Sequence, residues 1–229
     1  MELKLYNISM LRDGEFAPGE YYHIYNRGID KRIIFKSSYD YQRFIMLLYV
    51  ANNEKSIRLD DVLNKNKKSF QEVFSIKRNK PLVSIGAWVL MPNHFHIILR
   101  EEVEGGISKF MKKLGTGYSM FFNIKYQRTG GLFGGPFKSK HISEDLYLKH
   151  LFGYLHLNPL DIKFCGWEQL IDKKNPKELK DFLMKYLYSS YQDYIAKDRP
   201  EQGILSKNNF PNYFEESDSF NNFIDNYLS

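Results

Sequence analysis

The chain has 229 residues, 43% of them apolar and 16% aromatic, which is enough to bury one substantial core without cross-links. Its single cysteine, Cys165, excludes an internal disulfide and a thiolate zinc site, so any metal chemistry falls to histidine and oxygen ligands. A formal net charge of +6 favours an anionic partner such as nucleic acid.

The N-terminus carries Glu2, Lys4 and Arg12 with no apolar signal-peptide core, and the longest apolar run, Phe44 to Ala51, is far too short to span a bilayer. A cytoplasmic protein is the expectation. Residues 21–26, Tyr-Tyr-His-Ile-Tyr-Asn, read as a strand entering a turn at Arg27-Gly28. Asp40 to Ala51 places Phe44, Leu47, Leu48 and Ala51 at helical spacing. Residues 52–80 are polar and lysine-rich, with a short helix around Leu59 to Leu63, and read as an insertion. Leu82 to Leu90 and His94 to Arg100, joined by Met91-Pro92-Asn93, form a β-hairpin. Ile107 to Lys125 is an amphipathic helix, in which Gly115 and Gly117 suggest close approach of a backbone or of DNA.

A glycine-rich loop, Arg128 to Pro136, leads to a fourth strand at Phe137 to Ile142, with Lys138 and Lys140 on one side. Ser143 is placed to cap a helix that should end as Pro159 turns Asn158 away from helical geometry. The order strand, helix, two strands, helix, strand, helix predicts an α+β fold. The expected arrangement is a ferredoxin-like βαββαβ core with an antiparallel sheet, an added helix after Ser143 and a C-terminal extension. One domain over residues 1–195 and a tail over 196–229, acidic from Glu215, are expected.

Within the hairpin, His94 and His96 are two apart and project from one face, while Phe95, Ile97 and Leu99 point to the other. Convergent imidazoles suit a divalent metal, although two of them alone make an incomplete site. On the helix after Ser143, Tyr147, His150, Tyr154 and Asn158 form one stripe, and Leu148, Phe152 and Leu155 another. Tyr154 is a candidate nucleophile and Asn158 a carbonyl donor to a hard cation; Tyr118, also helical and near glycines and basic residues, is the competing phenol.

Four blocks carry a family resemblance. They are Tyr22-His23-Ile24-Tyr25-Asn26-Arg27-Gly28; Leu90-Met91-Pro92-Asn93-His94-Phe95-His96; Gly131-Leu132-Phe133 with Phe137-Lys138-Ser139; and Tyr154-Leu155-His156-Leu157-Asn158-Pro159. In this order, ending near Ser189-Ser190-Tyr191, the chain resembles the HUH single-strand DNA tyrosine transposases, in the IS200-like branch associated with repetitive extragenic palindromes. The resemblance implies Tyr154 as nucleophile, His94, His96 and Asn158 as ligands of Mg²⁺ or Mn²⁺, and a covalent 5′-phosphotyrosine intermediate. The implied partner is single-stranded DNA with palindromic hairpins, and a homodimer is left open. Arg27, Lys112, Lys113, Lys138, Lys140 and His150 are candidate DNA contacts, and Phe133 and Phe137 could stack on unpaired bases. The alternatives are a hairpin-binding protein without cleavage, a rolling-circle initiator or relaxase, and a metallohydrolase that uses water.

Overall fold

Strand β1 (Tyr21–Arg27) lies inside the sheet rather than at its edge, and this governs what its side chains meet. The computed structural model describes residues 15–168, 175–195, 198–214 and 217–228. After β1 the chain forms α1 (Ser38–Val50), the short α2 (Phe70–Val73), β2 (Val83–Met91), β3 (His94–Glu101), α3 (Gly106–Lys125) and β4 (Lys138–Ile142). Then follow α4 (Asp145–Leu157), α5 (Leu160–Lys163), α6 (Pro176–Lys185), α7 (Tyr191–Tyr194) and α8 (Ser217–Leu228). The strands pair antiparallel in the order β2-β3-β1-β4, the ferredoxin-like arrangement expected from the element order. Among the described residues no helix is long and apolar enough to cross a membrane.

Both faces of the sheet are covered, which explains why β2 reads as continuous apolar sequence: all nine of its residues are buried. On one face Ile24, Trp88, Leu90, Phe95 and Ile97 pack under Phe44 and Leu48 of α1 and Phe110, Leu114 and Tyr118 of α3. On the other, Ala87, Val89 and Ile98 lie under Leu148, Phe152 and Leu155 of α4, backed by Phe220, Ile224 and Leu228 of α8. Residues 52–80 are folded onto this body rather than hanging from it. Leu59, Val62, Val73 and Phe74 join the first core, and buried Asn52 bonds to the backbone of Leu82 and Val83.

The β2 edge is closed by the chain that follows α6. The Leu90 N–H donates to Tyr188 O at 2.9 Å, the Ser190 N–H to Trp88 O at 2.9 Å and the Ser206 N–H to Ile85 O at 2.9 Å, so the ladder does not end in open hydrogen-bonding groups. A bulge between Ile85 and Ala87 sits at Gly86, where an added Cβ would lie 2.7 Å from the Phe210 ring. Phe210, Phe220, Ile224 and Leu228 are therefore part of the second core, and the boundary anticipated at 195 falls inside a packed layer.

Two local expectations are corrected. Ser143 does not cap α4: Glu144 occupies the cap position without a side-chain hydrogen bond. Nor does Pro159 pull Asn158 out of helical geometry. Asn158 has φ −49° and ψ −39°, and Pro159 occupies the cap position just ahead of α5, where the missing N–H is not needed.

Candidate active site

The register brings polar side chains from three strands to the α4 face of the sheet. Arg27 pairs with His94 and Tyr25 with His96 across β1 and β3; Tyr25 pairs with Lys138 and His23 with Lys140 across β1 and β4. Directly paired residues point to the same face. His94, His96, His23, Tyr25, Arg27, Lys138 and Lys140 therefore share it, and Tyr154 descends on them from α4.

The two histidines predicted as ligands come together, with ring centroids 5.1 Å apart and ring planes at 89°. His94 Nδ1 lies 2.6 Å from Asn93 Oδ1, which only accepts, so Nδ1 carries the proton and Nε2 keeps its lone pair. His96 Nδ1 is 2.8 Å from Nε2 of His23. Burial lowers the His94 pKa to about 4, helped by Arg27, and holds His96 well below its ordinary value, helped by His23. Both are neutral at physiological pH, the form a metal requires. Among the described residues no group of three His, Cys, Asp or Glu side chains is placed to hold a metal ion. If the two imidazoles held a cation, the remaining donors would be oxygen, from an amide, water or a phosphate, a set that suits Mn²⁺ well and Mg²⁺ less well.

Tyr154 lies edge-on to His96 with centroids 5.8 Å apart, and 6.5 Å from His23. Burial raises its pKa; a hydrogen bond with the Asn158 side chain works against this, and the charges of Asp161 and Glu168 add to it. Asn158 is 8% exposed and stands one helical turn beyond, its N–H donating to Tyr154 O at 3.0 Å. The competing Tyr118 is wholly buried on the opposite face, donates its hydroxyl to Ile34 O at 2.5 Å, and has its pKa pushed up by burial. It has no access to a substrate.

The predicted DNA contacts divide. Arg27, Lys138 and Lys140 border the histidines, Lys140 standing 4.3 Å over the Tyr147 ring. Lys112, Phe133 and Phe137 line a groove of about 700 Å³ between α3 and the 128–137 loop, on the other side of the sheet. His150 is turned away from the histidine pair: its Nδ1 is hydrogen-bonded to the Tyr227 hydroxyl, tying α4 to α8. Lys113 donates to the carbonyls of Asn53 and Glu54 at 2.6 and 3.0 Å and anchors the 52–80 segment. Two residues of the site, His23 and Tyr25, escaped sequence reasoning. Alternation along residues 22–25 already set them apart from Tyr22 and Ile24, but only the pairing with β3 and β4 shows what they face.

A family model described as "Transposase IS200 like" matches residues 39–157, just over half of the chain, and includes His94, His96 and Tyr154. The chain belongs to the IS200-like transposase family. The matched residues begin after β1 and end before Asn158, so His23, Tyr25 and Asn158 of this IS200-like transposase lie outside them. Among solved structures, the chain is similar to a REP-associated tyrosine transposase bound to a REP hairpin. The TM-score is 0.47 at 13% identity, covering 83% of this chain and 87% of that one. It is also similar to a tRNA(His) guanylyltransferase from Saccharomyces cerevisiae, with a TM-score of 0.34 at 12% identity, covering 91% of this chain and 85% of that one. No curated protein sequence matches it.

Proposed function

We propose that this transposase cleaves and rejoins hairpin-bearing single-stranded DNA of the repetitive-palindrome type, with Tyr154 as nucleophile and a divalent cation held by His94, His96 and Asn158. The observation that carries the reading is the position of Tyr154, its ring edge-on to His96 at 5.8 Å above two neutral imidazoles. A phenol is a weak nucleophile near neutral pH, and burial makes this one weaker still. Bound Mg²⁺ or Mn²⁺ would supply positive charge to the phosphate oxygens and to the departing 3′-oxygen.

The protein's own groups do the rest. Arg27, Lys138 and Lys140 draw the phosphodiester onto the face, and Asn158 holds the Tyr154 hydroxyl in place. The Tyr154 oxygen forms a bond to phosphorus while the bond from phosphorus to the 3′-oxygen breaks. The phenolic proton is lost and the leaving oxygen gains one, leaving a 5′-phosphotyrosine and a free 3′-hydroxyl. The phosphodiester is conserved, so a later 3′-hydroxyl can reseal a junction without ATP. Lys112, Phe133 and Phe137, gathered in one groove, are suited to a flanking strand, with stacking worth about 1–3 kcal/mol per base.

The test is incubation of the protein with a labelled hairpin oligonucleotide and Mn²⁺, followed by denaturing electrophoresis. A covalent adduct is expected from the wild type and from Tyr118→Phe and is expected to be absent from Tyr154→Phe. Cleavage without an adduct would indicate a water-using hydrolase and overturn the proposal; binding without cleavage would leave only a hairpin-binding protein.

A further inference from the structure

We infer that His23 is a positioning residue that holds His96 in the tautomer required to bind the cation, an inference that rests on the reading of His94 and His96 as ligands. His23 is fully buried at the middle of β1, and its ring stacks on that of His96 with centroids 5.0 Å apart and planes at 24°. The contact between them is polar and directional, His23 Nε2 lying 2.8 Å from His96 Nδ1. Sheet interiors normally take apolar residues, and the neighbours of His23 on its own strand, Tyr22 and Ile24, join the opposite core in the ordinary way.

An imidazole that binds a metal through one nitrogen donates the N–H of the other to a partner, which sets both tautomer and ring orientation. Asn93 Oδ1 fills that role for His94; with His23 Nε2 accepting from His96 Nδ1 across their 2.8 Å contact, His23 fills it for His96, and each candidate ligand is left with a free Nε2 lone pair. Acceptance by Nε2 obliges His23 to carry its own proton on Nδ1. That atom is buried with no hydrogen-bond partner among the described residues. A buried donor left unpaired is costly and tends to persist where something else demands it. Here the demand is an acceptor without charge: a carboxylate at this depth would need its own partners, whereas a neutral imidazole orients His96 and adds no net charge beneath the site.

The experiment is titration of the metal-free protein with Mn²⁺, followed by electron paramagnetic resonance, alongside ¹⁵N NMR of the histidine side chains. In the wild type His96 should appear as a single tautomer protonated on Nδ1. His23→Leu should weaken Mn²⁺ binding roughly ten- to a hundredfold and leave His96 in a mixture of tautomers. His23→Gln, which keeps an acceptor, should recover much of the affinity and also serves if the leucine variant fails to fold. An unchanged Mn²⁺ affinity in both His23 variants, with His96→Ala abolishing binding, overturns the role of His23 alone. If His96→Ala binds Mn²⁺ as well as the wild type, the ligand assignment fails and this inference falls with it.

Discussion

Replacing Ser190 by alanine tests the latch that fixes α4 to the sheet edge. His156, fully buried between Tyr154 and Asn158 in sequence, places Nδ1 2.8 Å from the carbonyl of Phe152, so Nδ1 bears the proton and Nε2 accepts. The Ser190 hydroxyl lies 2.8 Å from that Nε2 and donates to it, and it also accepts the Trp88 N–H at 3.0 Å. Alanine leaves two buried groups unpaired, a ring acceptor and a backbone donor on the edge strand, at about 1–3 kcal/mol each. The expected loss is about 2–6 kcal/mol, or roughly 4–24 °C in melting temperature for a chain of this size. Urea unfolding followed by circular dichroism measures it. Ser189→Ala is the control: Ser189 is equally buried, but among the described residues its hydroxyl accepts only the Tyr191 N–H at 3.3 Å, so the change should cost about 1 kcal/mol or less. A double replacement, Ser190→Ala with His156→Leu, should cost less than the sum of its parts, because both members of the bond are removed. Equal stability of the wild type and Ser190→Ala would refute the latch.

The glycines of α3 should behave differently from one another. A Cβ at Gly115 meets nothing within 4 Å among the described residues, so Gly115→Ala should stabilise the protein by up to about 1 kcal/mol, and weaker hairpin binding by the same variant would mark this face as one that DNA approaches. At Gly117 a Cβ would lie 3.3 Å from Leu47 Cδ2, and Gly117→Ala should gain less, as compared by thermal melting. Acid should destabilise the fold. Burial lowers the pKa of His23 and His156 to about 3 and of His94 to about 4, so the unfolded chain binds more protons between about pH 6.5 and those values. Stability is complete above pH 6.5 and falls below it by up to about 1.4 kcal/mol per pH unit for each histidine. Burial raises Asp161, Glu168 and Asp193, which act in the opposite sense and lessen the slope. A urea midpoint that stays flat from pH 7 to 5 would contradict this balance.

Much of the architecture is written in local pattern. Period-two alternation, a short turn and amphipathic helices are nearest-neighbour properties, so the order of strands and helices, the shared face of His94 and His96 and the stripe bearing Tyr154 and Asn158 were legible along the chain. The block Tyr154-Leu155-His156-Leu157-Asn158-Pro159, through its family resemblance, made Tyr154 the candidate nucleophile, although spacing could not separate it from Tyr118. Tertiary structure separates the two, since one phenol lies against His96 and the other is sealed beneath α1 on the far face.

His23 and Tyr25 became part of the site only once β1 was seen to lie between β3 and β4 in a register pairing Tyr25 with His96 and His23 with Lys140. His150 left it because its position on the helix points it at α8. Lys113 and the chain beyond residue 195 changed meaning for the same reason: their partners are far away in sequence. Strand neighbours, register and helix facing are set by contacts among distant segments competing for burial, and no local periodicity encodes them.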